Sequence, residues 1–134
     1  MAQVQQIEIR TSKREEMIDI TSLVRGAIKK TGVSAGVAYV YVPHTTAAVT
    51  LQENTDPTVK TDLLGLLARL IPKDGGFEHA EGNADAHIKS SAVGASQTIP
   101  VEGGRLLLGT WQAIWFCEFD GPRSRRVLVK VLDG

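Results

Sequence analysis

One run of eleven residues, Thr110-Trp-Gln-Ala-Ile-Trp-Phe-Cys-Glu-Phe-Asp120, constrains the fold more than any other stretch of the chain. Its aromatic and apolar side chains suit a pleated, buried surface, and it is long for a strand. Alternation places Gln112, Ile114, Phe116 and Glu118 on one face and Trp111, Ala113, Trp115, Cys117 and Phe119 on the other. Two polar groups are thus threaded into one apolar side. A half-wet sheet, a polar pocket or a subunit interface would each account for them.

The remaining strands follow from the same period. Val4–Arg10 alternates around Ile7 and Ile9, and Met17, Ile18 and Ile20 form a short run after the polar turn 11–14, so the two read as an opening hairpin. Gly36–Val42 is a nearly unbroken β-branched and aromatic run, expected as a central strand buried on both faces. Ala47–Leu51 follows it, and Gln97–Val101 reads as an edge strand because Pro100 cannot donate to a ladder. Glu102-Gly103-Gly104-Arg105 is a hairpin turn, and Val127–Leu132 closes the chain.

Three helices are expected near 21–31, 56–71 and 83–94. The first is capped by Thr21 or Ser22 and stopped by Gly32, the second begins at the Asp56-Pro57 cap, and the third begins at Asn83. Leucines of the second continue an apolar stripe that should pack on the core. The expectation is a single α+β domain over residues 1–134: a mixed, mostly antiparallel sheet of about seven strands covered by about three helices. With 134 residues, 43% of them hydrophobic, such a domain needs no covalent staples.

Charge narrows the partners. Lys+Arg and Asp+Glu both number 15, so there is no global basic field, and neither nucleic acid nor a membrane is expected as partner. Residues 1–6 lack a leader pattern. The one cysteine, Cys117, excludes an internal disulfide and a thiolate zinc knuckle and points to a reducing cytoplasm. Mid-strand among aromatics, it reads as an inert core residue.

The chemistry concentrates in His79-Ala-Glu-Gly-Asn-Ala-Asp-Ala-His-Ile-Lys-Ser-Ser91, which holds two of the three histidines. Asn83, His87 and Ser91 are spaced by four and lie along one helical face, with Asp85 in the first turn and His79 and Glu81 on the loop before it. His44, followed by Thr45 and Thr46, sits at a strand end, and Glu53, Asn54 and Asp56 sit at another. Arg123–Arg126 is a basic turn whose guanidinium groups match phosphate oxygens. Two readings stay open. His44, His79 and His87 would make a three-nitrogen metal site, with Asp85 or Glu81 fixing a tautomer, or the cluster would supply acids, bases and donors around a phosphorylated ligand. No Walker loop, dinucleotide fingerprint, nucleophile elbow or His-Glu-x-x-His pattern is present.

The blocks Pro43-His44-Thr45-Thr46-Ala47, Glu53-Asn54-x-Asp56-Pro57, His79-x-Glu81-Gly82-Asn83-x-Asp85-Ala86-His87-x-x-Ser90-Ser91-x-x-Gly94, Gly109-Thr110-Trp111-Gln112 and Glu118-Phe119-Asp120-Gly121-Pro122-Arg123 resemble, in order, the YjbQ-like family. Its members are also described as secondary thiamine-phosphate synthases. The resemblance implies an α+β homotrimer and a low activity joining hydroxymethylpyrimidine diphosphate to thiazole phosphate with release of pyrophosphate. On that reading His87, Glu53 and Asp85 are catalytic, and Thr45, Thr46, Asn54, Asn83, Ser90, Ser91 and Arg123 hold a small phosphorylated molecule. His44, His79 and His87 would bind a divalent ion, zinc or magnesium. The alternative is a non-enzymatic trimeric protein that binds a metal or a small anion.

Overall fold

The strand that dominates the sequence, β7 (Gln112–Glu118), is buried on both faces, and the molecule is layered accordingly. The computed structural model describes residues 3–134, so Met1 and Ala2, part of the stretch read for a leader pattern, lie outside it. Before β7 come β1 (Gln5–Arg10), β2 (Glu16–Asp19), α1 (Thr21–Thr31), β3 (Ala35–Tyr41), β4 (Ala47–Glu53), α2 (Pro57–Leu70), α3 (Ala84–Val93), β5 (Ser96–Glu102) and β6 (Arg105–Leu106), and after it β8 (Ser124–Asp133). The expected single α+β domain is present. Its eight strands form two sheets with every pairing antiparallel, ordered β1-β8-β3-β5-β6 and β2-β7-β4. Two sheets arise because each face of β7 needs an apolar cover. Ile114 and Phe116 pack with Val40, Val129 and Ile28 in a core between the sheets. Ala113, Trp115, Cys117 and Phe119 pack on the far side with Met17, Ala48, Ala86 and part of α2.

Several expectations give way to tertiary context. β1 and β2 are not a hairpin, since β1 pairs with β8 and β2 with β7. β3 is central in its sheet but buried on one face only, and Tyr39 and Tyr41 stack on the outside with ring centroids 6.1 Å apart. β5 is one place in from the edge. Pro100 fits there because its carbonyl accepts from Leu107 N–H on the β6 side, so its missing donor faces away from β3. The N-cap position of α1 is Ile20, not Thr21 or Ser22; Asp19, one residue earlier, accepts from Thr21 N–H through Oδ1 at 3.0 Å, and the Thr21 hydroxyl in turn accepts from Ile114 N–H at 2.8 Å. Asp56 caps α2 as expected, accepting from Thr58 N–H at 2.9 Å. α2 itself is only half seated, because none of its residues is buried and Leu66 and Leu70 are 48% and 68% exposed. Gly103 and Gly104 take φ of 60° and 74°, the positive values a two-residue hairpin turn demands. No helix among the described residues is long and apolar enough to cross a membrane.

Candidate functional site

The β3–β4 connection, the start of α3 and the β7–β8 connection meet at one end of the molecule. The last of these is fixed by Thr11 and Arg14: Thr11 N–H donates to Arg123 O and Gly121 N–H to Arg14 O, both at 2.9 Å. A Cβ on Gly121 would stand 2.3 Å from Lys13 O, so the backbones approach as only glycine permits. Together these segments enclose a cleft of about 370 Å³, with His44, Thr45, Asn83, His87, Arg123 and Arg125 on its walls and Asp120 and Glu81 at its rim. His44 and His87 also line an adjoining cleft of about 420 Å³ with Ser90, Ser91 and Gly94.

Arg125 is the buried foundation of the cleft. Its Nε donates to Glu118 Oε1 at 2.9 Å, its Nη2 donates to Glu118 Oε2, and the same Nη2 donates to Thr46 Oγ1 at 2.8 Å. Thr11 Oγ1 also donates to Glu118 Oε1, at 2.8 Å. Glu118, one of the two polar residues in the long strand, therefore belongs to a saturated buried ion pair rather than to a wet face. Arg123 grips Asp120 through Nη2 at 3.0 Å, and Asn83 Nδ2 donates to the same carboxylate oxygen at 2.8 Å. Burial opposes the charge on Asp120, but these two hydrogen bonds prevail and hold its carboxyl below the ordinary carboxylate range. Asn83 thus occupies the N-cap position of α3 without capping it: its Nδ2 donates to Asp120, while its Oδ1, the atom a cap would use, is buried without a hydrogen-bond partner among the described residues.

The histidines differ. His44 Nε2 accepts from Arg126 N–H at 3.0 Å, which places its proton on Nδ1. Desolvation and the neighbouring Arg125 charge lower its pKa, so it is neutral near pH 7. His79 and His87 meet edge to face with ring centroids 5.0 Å apart. Glu81 stands 3.9 Å from His79 Nε2 and is exposed. Among the described residues no three His, Cys, Asp or Glu side chains converge to hold one metal ion. The rings that pair are those of His79 and His87, while His44 Nε2 is engaged by Arg126 N–H.

Other sequence candidates are placed elsewhere or are already bound. Asp85 lies under α3, its side chain inaccessible, gripped by Arg14 Nη2 at 2.9 Å and Lys89 Nζ at 2.8 Å. Lys89 Nζ also reaches Glu15 at 2.7 Å. Its carboxylate therefore fixes no histidine tautomer. Ser90 and Ser91 donate to main-chain carbonyls, Ser90 to Thr45 O at 2.5 Å and Ser91 to His87 O at 2.9 Å. Glu53 and Asn54 lie at the far end of the seven-residue β4, roughly 20 Å of strand from Thr46, where they contact Asp56 N–H and Asp19. The chain alone does not bring them to the cleft. Sequence reasoning missed Lys89, Arg14 and Arg125 as ion-pair partners. Only the Asp85–Lys89 spacing of four advertised one of them.

Residues 5–134 match the family described as UPF0047 protein YjbQ-like. The chain belongs to this family. Similar YjbQ-like sequences include a UPF0047 protein of Methanocaldococcus jannaschii, 56% identical over 93% of this chain and 91% of its own. YugU of Bacillus subtilis is 52% identical over 94% of this chain and 96% of its own. Among solved structures, a YjbQ/UPF0047 protein of Clostridium acetobutylicum superposes with a TM-score of 0.93 at 51% identity, covering 96% of this chain and 99% of that one. One of Sulfolobus solfataricus, described as of unknown function, gives 0.95 at 31% identity over 100% of this chain and 99% of that one. The layered YjbQ-like fold is therefore common to archaeal and bacterial members.

Proposed function

We propose that the cleft between His44, His87 and Arg123 binds the phosphate or diphosphate of a small phosphorylated molecule. The observation that carries this reading is the convergence of an exposed guanidinium, a free Nδ1–H and a second imidazole over the buried Arg125–Glu118 pair. Arg125 and Glu118 offset each other, so the donors left to face the cleft are those of Arg123, which also holds Asp120, and of the His44 and His87 rings. An anion supplies the missing complement.

The reaction this arrangement suits is displacement of pyrophosphate from hydroxymethylpyrimidine diphosphate by the ring nitrogen of thiazole phosphate. The carbon–oxygen bond to the diphosphate breaks with its electron pair leaving on pyrophosphate, and the carbon–nitrogen bond of thiamine phosphate forms. Arg123, His44 Nδ1–H and His87 oppose the charge that develops on the leaving group. The remaining demand is positioning, and no covalent enzyme intermediate is needed. On this reading Glu53 and Asn54 would reach the cleft only from a neighbouring copy of a homotrimer. Within one copy they stand apart from it.

A steady-state assay with both substrates, comparing wild type with His87→Ala, Arg123→Gln and Glu53→Gln, tests the proposal. Loss of about ten-fold or more in kcat/KM for the first two supports it, and the same loss in Glu53→Gln supports completion by a neighbour. If wild type turns over no faster than the variants but still binds pyrophosphate, the protein is a binder of small anions. The paired rings of His79 and His87 favour a second reading, a zinc or magnesium site. Stoichiometric metal in protein purified without chelator, lost in His79→Ala, would establish that reading instead.

A further inference from the structure

At the other end of β3, seven residues away from the His44 cleft, α1 and the β5–β6 hairpin flank a groove of about 570 Å³. Its walls carry Arg25, Lys29 and Arg105, and Ile28 and Leu106 contribute an apolar floor. None of the three cations forms an ion pair among the described residues. Two carboxylates lie nearby without an ion-pair contact to them: Asp19, which feels Arg25 but is bound to Thr21 and Asn54, and Glu102, opposite Arg105 in the β5–β6 register. Arg25 and Lys29 are four apart on α1, a like-charge spacing that destabilises an unliganded helix by a few tenths of a kcal/mol.

Gly26 gives a second, independent indication. It sits in the interior of α1, lines the groove, and does not take a positive φ. A Cβ built on it meets nothing within 4 Å. Neither packing nor backbone conformation asks for glycine there, although glycine costs about 1 kcal/mol relative to alanine in a helix interior. What the missing side chain does provide is access: it leaves the groove open along the helix backbone between the two α1 cations.

We propose that this groove binds a small phosphate monoester with an apolar body, its phosphate between Arg25, Lys29 and Arg105 and its body on Ile28 and Leu106. Three cations lining one groove match a dianion better than a carboxylate, and the apolar floor beside them selects an ester over inorganic phosphate. The site is separate from the His44 cleft and does not depend on what binds there.

Phenyl phosphate is the probe, titrated into uniformly ¹⁵N-labelled full-length protein, with inorganic phosphate and benzoate as comparison ligands. Saturable amide shifts over 25–29 and 103–106 are expected. Inorganic phosphate and benzoate should each bind there at least about ten-fold more weakly. Gly26→Leu, which fills the groove while improving helix propensity, should weaken phenyl phosphate at these amides by about ten-fold or more and leave any shifts around His44 and His87 unchanged. Arg105→Gln should weaken it similarly. Shifts confined to the His44 cleft, unaltered affinity in Gly26→Leu, or equal affinity for inorganic phosphate would each overturn the proposal. So would a change of oligomeric mass in Gly26→Leu by light scattering, which would make the groove a contact between copies.

Discussion

The Asp85 side chain is inaccessible from the surface, and its charge is sustained by Arg14 and Lys89. Burial opposes ionisation, yet the two cations hold its carboxyl below the ordinary carboxylate range. A depressed folded pKa stabilises fully above the unfolded value of about 3.9 and is lost as pH falls through the lower folded one. Urea unfolding should therefore show stability declining below about pH 4. Asp85→Asn should flatten that decline and, by leaving Lys89 and Arg14 short of a partner, lower stability at pH 7 by roughly 3 kcal/mol or more. Unchanged stability at pH 7 would refute the structural assignment. His44 has the same sign for a different reason. Desolvated and close to the Arg125 charge, its ring should titrate below the usual 6.5, and with Nε2 accepting from Arg126 N–H it should carry its proton on Nδ1 when neutral, both readable from imidazole ¹⁵N shifts.

Elements differ in how far local sequence determines them. α2 was legible because its start is local chemistry, Asp56 before Pro57, and the ends of α1 and α3 were legible at Gly32 and Gly94. The pairing of β1 with β8 was not, because nothing near residues 5–10 names a strand more than a hundred positions on. The same holds at the site. The polar blocks could be read along the chain, but Thr11 meets Glu118 across 107 positions and Lys89 meets Glu15 across 74, which no local pattern encodes. Two glycines separate local from tertiary demand in a measurable way. In α2, a Cβ on Gly65 would meet only the end of Arg69 at 3.7 Å, so Gly65→Ala should raise stability by up to about 1 kcal/mol. In β3, a Cβ on Gly36 would fall 2.0 Å from Leu132 O, so Gly36→Ala should force β3 from β8 and lower Tm clearly. Thermal melts of the two variants check both signs.

The whole molecule leaves apolar surface unspent on one side, where Leu66 and Leu70 of α2 face outward. Self-association to a trimer through such surface fits a chain with no net charge to oppose it. Light scattering at micromolar concentration should give three times the 14.5 kDa chain mass, and Leu66→Asp with Leu70→Asp should reduce it. A wild-type monomer would leave those leucines without a role in assembly. Within each copy, β7 gives Ile114 and Phe116 to one core and Trp115 and Phe119's side of the strand to the other. A strand shared in this way couples the two layers, because neither can come apart while the other keeps β7 in place. Its amides should then exchange with deuterium only when the entire domain opens, at one common rate. A cavity cut on either side, by Phe116→Ala or Cys117→Ala, should quicken exchange along all of β7 and not just beside the lesion.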